Sequence, residues 1–440
     1  MMEDIRPASW HKASFEEFLH RRLPDLLTRR LRLSGYRAEY SGEYQCRIAL
    51  QARSDAREFE VTYAAIPAPD EAGVFRAPDP EQGGRAVECN MGVGMQRHSG
   101  DGRELVVPPI ADQDDLSAAR IACVGEQLYS FIEQRLGQVP DEVELDEQLV
   151  RSLAPLDAWV RAFLAQAAQP LNGNNWLDRA THLRRLFLPN REEMFTPGHF
   201  GRTCPFETPE GPNIARILTI ARGAEVRDGA LIAVDDDPVA TLGLSASAIP
   251  FLEHDDGNRV LMGANMMRQW LPPDESEPAL VQTGLEPDIA DFWCGRNLLT
   301  AYVSWDGYAF EDAVVISASC AAKLACPQPL EPGDKLSNRH GTKGVVGRVL
   351  PDDEMPRLVD GTPVELIFSV SGVPSRWNLG QLREAALGRV ARMQGKPEVV
   401  PPFQAPSDDE LRQRLRDAAL PESGMEVLSD GGESLRRVCT

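Results

Sequence analysis

GDKLSNRHGTKGVV, residues 333–346, is the stretch that says most about the fold of this chain. Lys335 and Lys343 lie eight residues apart in it, with Arg339 and His340 between them. Three glycines interrupt the stretch, and glycine lets a backbone turn sharply and approach a ligand closely. Lysines inside such a loop offer point charges to phosphate oxygens. By itself, this pattern predicts a loop that binds a polyanion.

The charge balance is strongly acidic, with 46 Lys+Arg against 67 Asp+Glu and a formal net charge of −21. Proteins that bind nucleic acid on their own are usually basic, so this balance argues against non-specific coating of DNA. It still allows a basic channel inside an acidic protein. Basic residues do concentrate in two segments, 174–190 and 331–350.

The eight cysteines include no C-x-x-C pair, so a zinc ribbon is not expected. They are typical of reduced thiols that serve as small apolar residues. No run approaches 18 consecutive apolar residues, so no membrane span is expected. The N-terminal sequence MMEDIRPASW lacks the basic and apolar regions of a signal peptide. The expected location is the cytoplasm.

Hydrophobic periodicity predicts a mixed chain of helices and strands. We expect helices over 14–34, 115–136, 146–167 and 379–394, and strands over 58–64, 314–316, 345–349 and 364–368, with loops over 67–103. Ser14 and Glu17 suggest a capping box for the first helix, and Pro24 is expected to kink it. Asp114 or Asp115 is expected to open the second helix, and Pro155 to interrupt the third.

Six sequence blocks in a fixed order carry a resemblance to a known family. They are PLNGNNWLDRATHLRRL (170–186), GRTCPFETPEGPNIARI (201–217), IPFLEHDDGNRVLMGANMMRQ (249–269), WDGYAFEDAVVIS (305–317), GDKLSNRHGTKGVV (333–346) and DGTPVELIFSVSGVPSRWNLGQL (360–382). Together they resemble the catalytic half of the β subunit of bacterial multisubunit RNA polymerase. The resemblance covers about 170–395. It extends weakly into the tail and is faint before 165, where 66–88 is similar to an eroded N-terminal protrusion.

Several parts of that family have no counterpart in this sequence. Only 15 residues separate Ser317 from Gly333, where the family carries a flap domain that contacts sigma factors. A further family insertion is missing between Glu286 and Gly295, and the lobe domain is missing before 170. The sequence given ends before the family's clamp-binding segment. The resemblance therefore implies a minimal β-like protein, with no sigma contact through a flap expected.

The resemblance also implies a fold class and a division of the chain. The expected fold is α+β, with the hybrid-binding domain of a β-like subunit containing a double-psi β-barrel. The expected regions are a reduced N-terminal protrusion-like region (1–165), a fork and rifamycin-pocket-like region (166–220), the hybrid-binding domain with the barrel (221–400) and a truncated C-terminal tail (401–440).

The function that the resemblance implies is nucleotidyl transfer by a DNA-directed RNA polymerase. Two Mg²⁺ ions serve this chemistry, and the family holds them mainly on a β′-type partner, in an Asp-x-Asp-Gly-Asp loop. No such loop occurs in this sequence. The chain alone is therefore expected to be inactive. Its expected partners are a β′-like subunit, the DNA template, the RNA–DNA hybrid and NTPs.

Site residues follow from the family motifs, position by position. Arg376 and Arg259 match residues that grip the incoming triphosphate, where a guanidinium fork suits bidentate phosphate contact. Lys335 and Lys343 match residues near the RNA 3′ end and the reacting phosphates. Asp312, with Glu311, matches the acidic pair near the second Mg²⁺, so Asp312 is the expected accessory metal ligand. The expected nucleic-acid contacts are Gln269, Asn265, Asn213, Glu207, Arg184, Arg185 and Arg339.

Each motif also has a purely structural interpretation. Arg259 would then neutralise Glu253, Asp255 and Asp256, and Glu311-Asp312 would cap a turn. Lys335 and Lys343 would be solvated loop lysines, Arg184 and Arg185 would lie on a surface helix, and Arg376 would stack on Trp377. For His254 and His340 we expect structural hydrogen bonding rather than catalysis.

Two alternatives to a polymerase subunit stay open at the level of function. One is a non-catalytic β paralogue that binds polymerase or nucleic acid as a regulator. The other is a remnant without a role. The six motifs with their charged members favour the catalytic subunit, and the missing flap, lobe and clamp segments favour the regulator.

Overall fold

The computed structural model describes residues 9–54, 57–79, 83–94, 116–117, 121–137, 139, 144–188, 195–227, 229–305, 307–429 and 435–439. Its helices are α1 (Trp10–Glu17), α2 (Leu23–Leu31), α3 (Val124–Glu133), α4 (Glu147–Leu153), α5 (Leu156–Ala167), α6 (Trp176–His182), α7 (Gly257–Met267), α8 (Ala318–Lys323), α9 (Gly380–Gln394) and α10 (Asp408–Asp417). No helix in these residues has the length and apolar character that crossing a membrane requires.

The strands are numbered in chain order. They are β1 (Leu33–Gly42), β2 (Gln45–Ser54), β3 (Arg57–Pro67), β4 (Phe75–Asp79), β5 (Arg85–Asn90), β6 (Val93–Gly94), β7 (Gln169–Pro170), β8 (Arg185–Phe187), β9 (Ile217–Thr219), β10 (Ala224–Arg227), β11 (Ala230–Ala233), β12 (Val281–Gln282), β13 (Thr300–Tyr302), β14 (Ala313–Ser317), β15 (Lys335–Ser337), β16 (Lys343–Leu350), β17 (Arg357–Leu358), β18 (Leu366–Phe368), β19 (Glu398–Val399), β20 (Met425–Ser429) and β21 (Leu435–Cys439). With the helices, they confirm a mixed α and β fold.

The predicted first helix exists, but it begins earlier and lacks the predicted capping box. A π-helical turn, Phe18–Arg22, joins α1 to α2. Ser14 lies inside α1, and its hydroxyl donates to a carboxylate oxygen of Glu126 at 2.6 Å, so the prediction of a cap with Glu17 is wrong. Pro24 lies in the first turn of α2, directly after the π-helical turn that divides the predicted helix.

Most of the other predicted elements are confirmed. β3, β14, β16, β18 and α9 contain or overlap the predicted segments, and Pro155 separates α4 from α5. The prediction of loops over 67–103 is wrong in part, because β4 and β5 form an antiparallel hairpin. Its apolar residues pair across the strands, as Phe75 does with Cys89. The predicted helix openers Asp114 and Asp115 lie outside the described residues, and the helix there begins at Val124.

The N-terminal region shares a hydrophobic core with the segment that follows it. Trp10 and Val93 pack in one cluster with Leu183, Leu186 and Leu218. A separate, larger cluster fills the space between the β1–β2–β3 sheet and helices α1, α2, α3 and α5. Packing therefore joins 1–165 to 166–220, and the domain boundaries remain predictions.

An eight-stranded mixed sheet organises the C-terminal half, in the order β15-β16-β14-β18-β13-β21-β20-β17. β14 runs parallel to β16, with Ala313 opposite Val345, and β13 runs parallel to β18. Because β14 and β16 are parallel, Asp312, just before β14, and Lys343, the first residue of β16, lie at one end of the sheet. The pairings between described residues do not establish a closed double-psi barrel, which remains a prediction.

The link from β14 to β15 is short. Helix α8 and a turn connect Ser317 to Gly333, and every residue between them is described. The link contains no separate domain, as the spacing in the sequence predicted.

Candidate functional site

An ion pair between Asp312 and Arg376 lies at the centre of the candidate site. An Oδ1 atom of Asp312 is 2.5 Å from Nη1 of Arg376. The hydrogen bond from Arg376 lowers the pKa of Asp312, and the charges of Arg259 and Lys343 lower it further. The same hydrogen bond raises the pKa of Arg376, with a smaller contribution from Glu311. The structure thus brings Arg376, Arg259 and Lys343 within electrostatic reach of Asp312.

Two strained residues flank this ion pair. Glu311 has φ of +52° and Trp377 has φ of +55°, in the left-handed region that non-glycine residues seldom adopt. The Trp377 carbonyl accepts a hydrogen bond from the amide of Asp256, and the Asp312 carbonyl accepts one from Val345. These backbone contacts hold the strained turns in place, and strain held by its surroundings is common at functional sites.

Arg259 projects from α7, which Asp256 caps through its side chain. Its Nη1 lies 3.3 Å from the carbonyl oxygen of Gly341. The described ion pairs join Arg259 to none of its three acidic neighbours. Glu253 accepts from Ala405 instead, and Asp255 pairs with His340. The structural interpretation of Arg259 as their neutralising partner is therefore not supported.

The two lysines share one face of the β15–β16 hairpin. Lys335 lies opposite Val345, and Ser337 lies opposite Lys343. Lys335 and Ser337 are two residues apart, so their side chains point to the same face of the hairpin, and Lys343 shares that face. Both are exposed and line a cavity of about 1150 Å³. An exposed, same-sided lysine pair offers two ammonium groups to one phosphate-bearing strand.

A second cavity, of about 490 Å³, gathers several of the predicted nucleic-acid contacts. Arg185, Asn265, Gln269 and Lys343 line it. Arg185 pairs with Asp178 at 3.3 Å, and the Asn265 amide donates to the carbonyl of Thr208 at 2.9 Å. Gln269 is exposed, as is Asn213, which lies outside both cavities. Their proposed contacts with nucleic acid remain predictions.

Arg184 was predicted to contact nucleic acid, but it is buried in this structure. Only 3% of the residue is exposed. Its Nε donates to the carbonyl of Ile220 at 3.1 Å and its Nη2 to that of Ala221 at 2.6 Å, while its guanidinium lies over the ring of Trp10. Burial lowers the pKa of Arg184 to about 10. Arg184 therefore joins buried chain segments, and the alternative of a surface helix is wrong for it.

Arg339 and Glu207 already have partners within the protein. Arg339 donates to the carbonyls of Ala248 and Val281 and pairs with Glu384. Glu207 is buried and accepts hydrogen bonds from the amides of Ser245 at 2.7 Å and of Ala246 at 3.0 Å. Arg339 also lines the larger cavity and Glu207 the smaller one, and their contacts with nucleic acid remain predictions.

Removing the Glu207 carboxylate is expected to destabilise the protein. Glu207→Ala leaves two buried amides without an acceptor, and such losses cost about 1–3 kcal/mol each. We expect the free energy of unfolding to fall by at least about 2 kcal/mol, measured by urea denaturation. Glu207→Gln keeps one acceptor oxygen and should lose less. The exposed Glu210→Ala is the matched control. Equal stability of Glu207→Ala and Glu210→Ala would contradict the assigned role.

Sequence analysis missed a buried charged cluster at His340. Nδ1 of His340 is 2.6 Å from Oδ2 of Asp255, and Nε2 is 2.6 Å from Oε2 of Glu384. With Arg339 these residues form what we call the His340 cluster. Burial opposes protonation, but the two carboxylates outweigh it and raise the pKa of His340 to about 9. The expected structural role of His340 is confirmed, whereas its partners, 85 and 44 residues away, carried no local signal.

Magnesium binding has limited support within this chain. The described residues hold no group of three or more side chains suited to a metal ion. Asp312 is about half exposed and adjacent to Glu311. One carboxylate of this kind fits Mg²⁺, which uses few protein ligands and keeps waters and substrate oxygens. The donor set suits an accessory role for Asp312.

Comparison with known proteins supports the resemblance. A family model described as RNA polymerase Rpb2, domain 3, matches residues 169–226, and one described as RNA polymerase Rpb2, domain 6, matches residues 320–437. The DNA-directed RNA polymerase subunit beta of Syntrophomonas wolfei is 21% identical over 80% of this chain, and that of Treponema pallidum is 22% identical over 77%. These matches support a β-type RNA polymerase subunit.

The chain spans 58% of the Syntrophomonas relative and 53% of the Treponema relative. The first alignment is 650 residues long, although it contains only 80% of the 440 residues present here. The relative therefore carries many residues that have no counterpart in this sequence. This difference in length agrees with the missing family segments identified in the sequence, such as the flap between Ser317 and Gly333.

Proposed function

We propose that this chain is a minimal β-like subunit of a DNA-directed RNA polymerase. In an assembly with a β′-like partner, it would position the NTP phosphates and the RNA 3′ end for nucleotidyl transfer. The observation that carries the proposal is the convergence of Arg376, Arg259 and Lys343 around Asp312. Three cations around one carboxylate leave an excess of positive charge that suits a triphosphate.

The proposed roles follow from charge and exposure. Arg376 and Arg259 hold the triphosphate, and their charge stabilises the negative charge that develops on it during transfer. Lys335 and Lys343 contact the RNA end from one face of the hairpin. Asp312 would be an accessory ligand of the second Mg²⁺, for which the partner would supply most of the ligands. Mg²⁺ would supply the Lewis-acid stabilisation of the phosphates.

The template path is proposed along the smaller cavity. Arg185, Asn265 and Gln269 would contact the RNA–DNA hybrid there, and Asn213 would lie further along the wall. The short link between Ser317 and Gly333 leaves no room for a flap, so we propose initiation without a family-type sigma contact.

A regulator without catalytic activity is the second candidate. The short link between Ser317 and Gly333, where the family carries a flap, favours it, as does the pairing of Arg376 with Asp312 in the free chain. RNA primer extension by the chain purified with its β′-like partner separates the two functions. Extension supports the catalytic subunit, whereas an assembly that binds primer and template but adds no nucleotide supports the regulator.

The isolated chain is expected to synthesise no RNA. Its described residues offer no cluster of carboxylates that would hold two Mg²⁺ ions, and two-metal chemistry needs such a clamp. The measurement is template-dependent extension with Mg²⁺ and NTPs, with and without the partner. Product from the single chain, free of other polymerases, would contradict the division of labour proposed above.

A further inference from the structure

Three chain segments meet at the buried ring of His340. His340 lies in the turn between β15 and β16, Asp255 precedes α7, and Glu384 belongs to α9. The side chains of His340 and Asp255 are both 0% exposed. Each ring nitrogen lies 2.6 Å from a carboxylate oxygen. One side chain therefore joins three segments that are far apart in the sequence.

The geometry requires a charged ring. A neutral imidazole has one N–H donor, whereas an ionised carboxylate only accepts hydrogen bonds. With a carboxylate at each nitrogen, both nitrogens donate and His340 is an imidazolium. Arg339 supplies the second cation of the cluster through its pairing with Glu384. Two cations thus balance the two anions, Asp255 and Glu384, which are the titratable groups facing the ring.

The same segments carry the proposed phosphate-binding arginines. The second oxygen of Asp255 accepts the amide of Gly380 at 2.8 Å. The amide of Asp256 donates to the Trp377 carbonyl at 2.9 Å, next to Arg376. On the other side, the carbonyl of Gly341 lies 3.3 Å from Nη1 of Arg259. The position of each arginine is therefore tied to the His340 cluster by one or two hydrogen bonds.

Close packing leaves little freedom for these segments to shift. Gly341 has φ of +73°, and a Cβ on it would collide with the carbonyl of Arg259. A Cβ on Gly380 would lie 2.8 Å from both Oδ1 of Asp255 and Nδ1 of His340. Only glycine fits at either contact, so the backbone of each segment rests directly on its neighbour.

We propose that His340 is a positioning residue for nucleotide addition, whose charged ring holds the segments of Arg259, Lys343 and Arg376 at the spacing that a triphosphate requires. This inference rests on the function proposed above. His340 does not touch the substrate. It acts through the segments it joins, and a displacement of about 1 Å in reacting groups can cost up to about a hundredfold in rate.

The test compares His340→Gln with His11→Gln in the assembled polymerase. His11 is an equally buried histidine, bonded only to the carbonyl of Leu183 among the described contacts. We expect His340→Gln to raise the apparent KM for NTP about tenfold, and His11→Gln to leave it unchanged. A merely structural role would lower kcat per total enzyme through loss of folded protein, without moving KM.

Glu384→Gln is the second variant in case His340→Gln fails to fold. It removes one charge but keeps an oxygen that can accept from Nε2. We expect it to raise KM about threefold. Hydrogen exchange on the free chain gives a readout independent of activity: the amides of Gly380 and Asp256 should exchange faster in both variants than in wild type or His11→Gln.

The outcomes separate this inference from the proposed function. A wild-type assembly that adds nucleotide, with KM unchanged in both His340→Gln and Glu384→Gln, overturns the positioning role alone. Unchanged exchange at Gly380 and Asp256 overturns the linkage through His340. A wild-type assembly that adds no nucleotide overturns the proposed function, and the positioning role with it.

Discussion

Arg376→Ala is expected to reduce nucleotide addition by the assembled polymerase about ten- to a hundredfold. Hydrogen bonds to charged groups contribute about 1.5–3 kcal/mol, and each 1.4 kcal/mol corresponds to about a factor of ten in rate or affinity. The loss should appear in kcat/KM for NTP, because the guanidinium meets charge that grows on the phosphates. Arg259→Ala should act in the same direction.

Two control variants accompany this prediction, one that keeps the positive charge at position 376 and one that removes an arginine away from the candidate site. Arg376→Lys should recover only part of the activity, because one ammonium does not reproduce the planar fork. Arg412→Ala removes an exposed arginine of α10 whose described partner is Asp409, and it should leave addition unchanged. Binding to the β′-like partner should be the same in all variants. If Arg376→Ala and Arg259→Ala both add nucleotide at the wild-type rate, the catalytic proposal fails and the regulator replaces it.

Asp255→Asn is expected to lower the free energy of unfolding by about 3–5 kcal/mol, the usual cost of breaking a buried ion pair by removing one partner. The substitution keeps the size of the side chain, but it removes the charge that offsets the imidazolium at 2.6 Å. Asp256→Asn is the matched control, since Asp256 is exposed and caps α7 through an oxygen that asparagine retains. Urea denaturation measures both, and equal stability of the two variants would contradict a buried, charged cluster.

The same cluster predicts how stability depends on pH. The pKa of His340 rises from 6.5 to about 9 on folding. A raised histidine pKa contributes stability that is fully present below about pH 6.5 and is lost as the pH rises through 9. His11 has the opposite sign, because burial lowers its pKa to about 4, so its contribution is lost as the pH falls below 6.5.

Urea midpoints of the wild type between pH 6 and pH 10 test this sign. We expect the midpoint to fall towards alkaline pH in the wild type and in His11→Gln, and to fall less in His340→Gln. A slope that is the same in all three proteins would show that His340 does not hold its proton in the folded state.

Local sequence patterns were sufficient for much of the architecture. The apolar spacing of Leu382, Ala386 and Val390 predicted α9, and the alternation around Val61 predicted β3, because helices and strands place every fourth or every second residue on a common face. Six ordered motifs were enough for the family. These features depend on residues that are close together in the sequence, so they can be predicted from the sequence alone.

The sequence could not show which of several chemically identical side chains lie at the candidate site and which form contacts inside the protein. Arg376 and Arg259 are half-buried at the candidate site, whereas Arg184 and Arg339 donate to carbonyls 36 and 91 residues away. Likewise, His340 finds its carboxylates 85 and 44 residues away. The amino-acid sequence thus determined which elements form and which charged residues are present. Tertiary packing alone decided which of those charges are buried and paired inside the protein and which lie partly exposed at the candidate site, since burial and partner choice depend on contacts between distant segments.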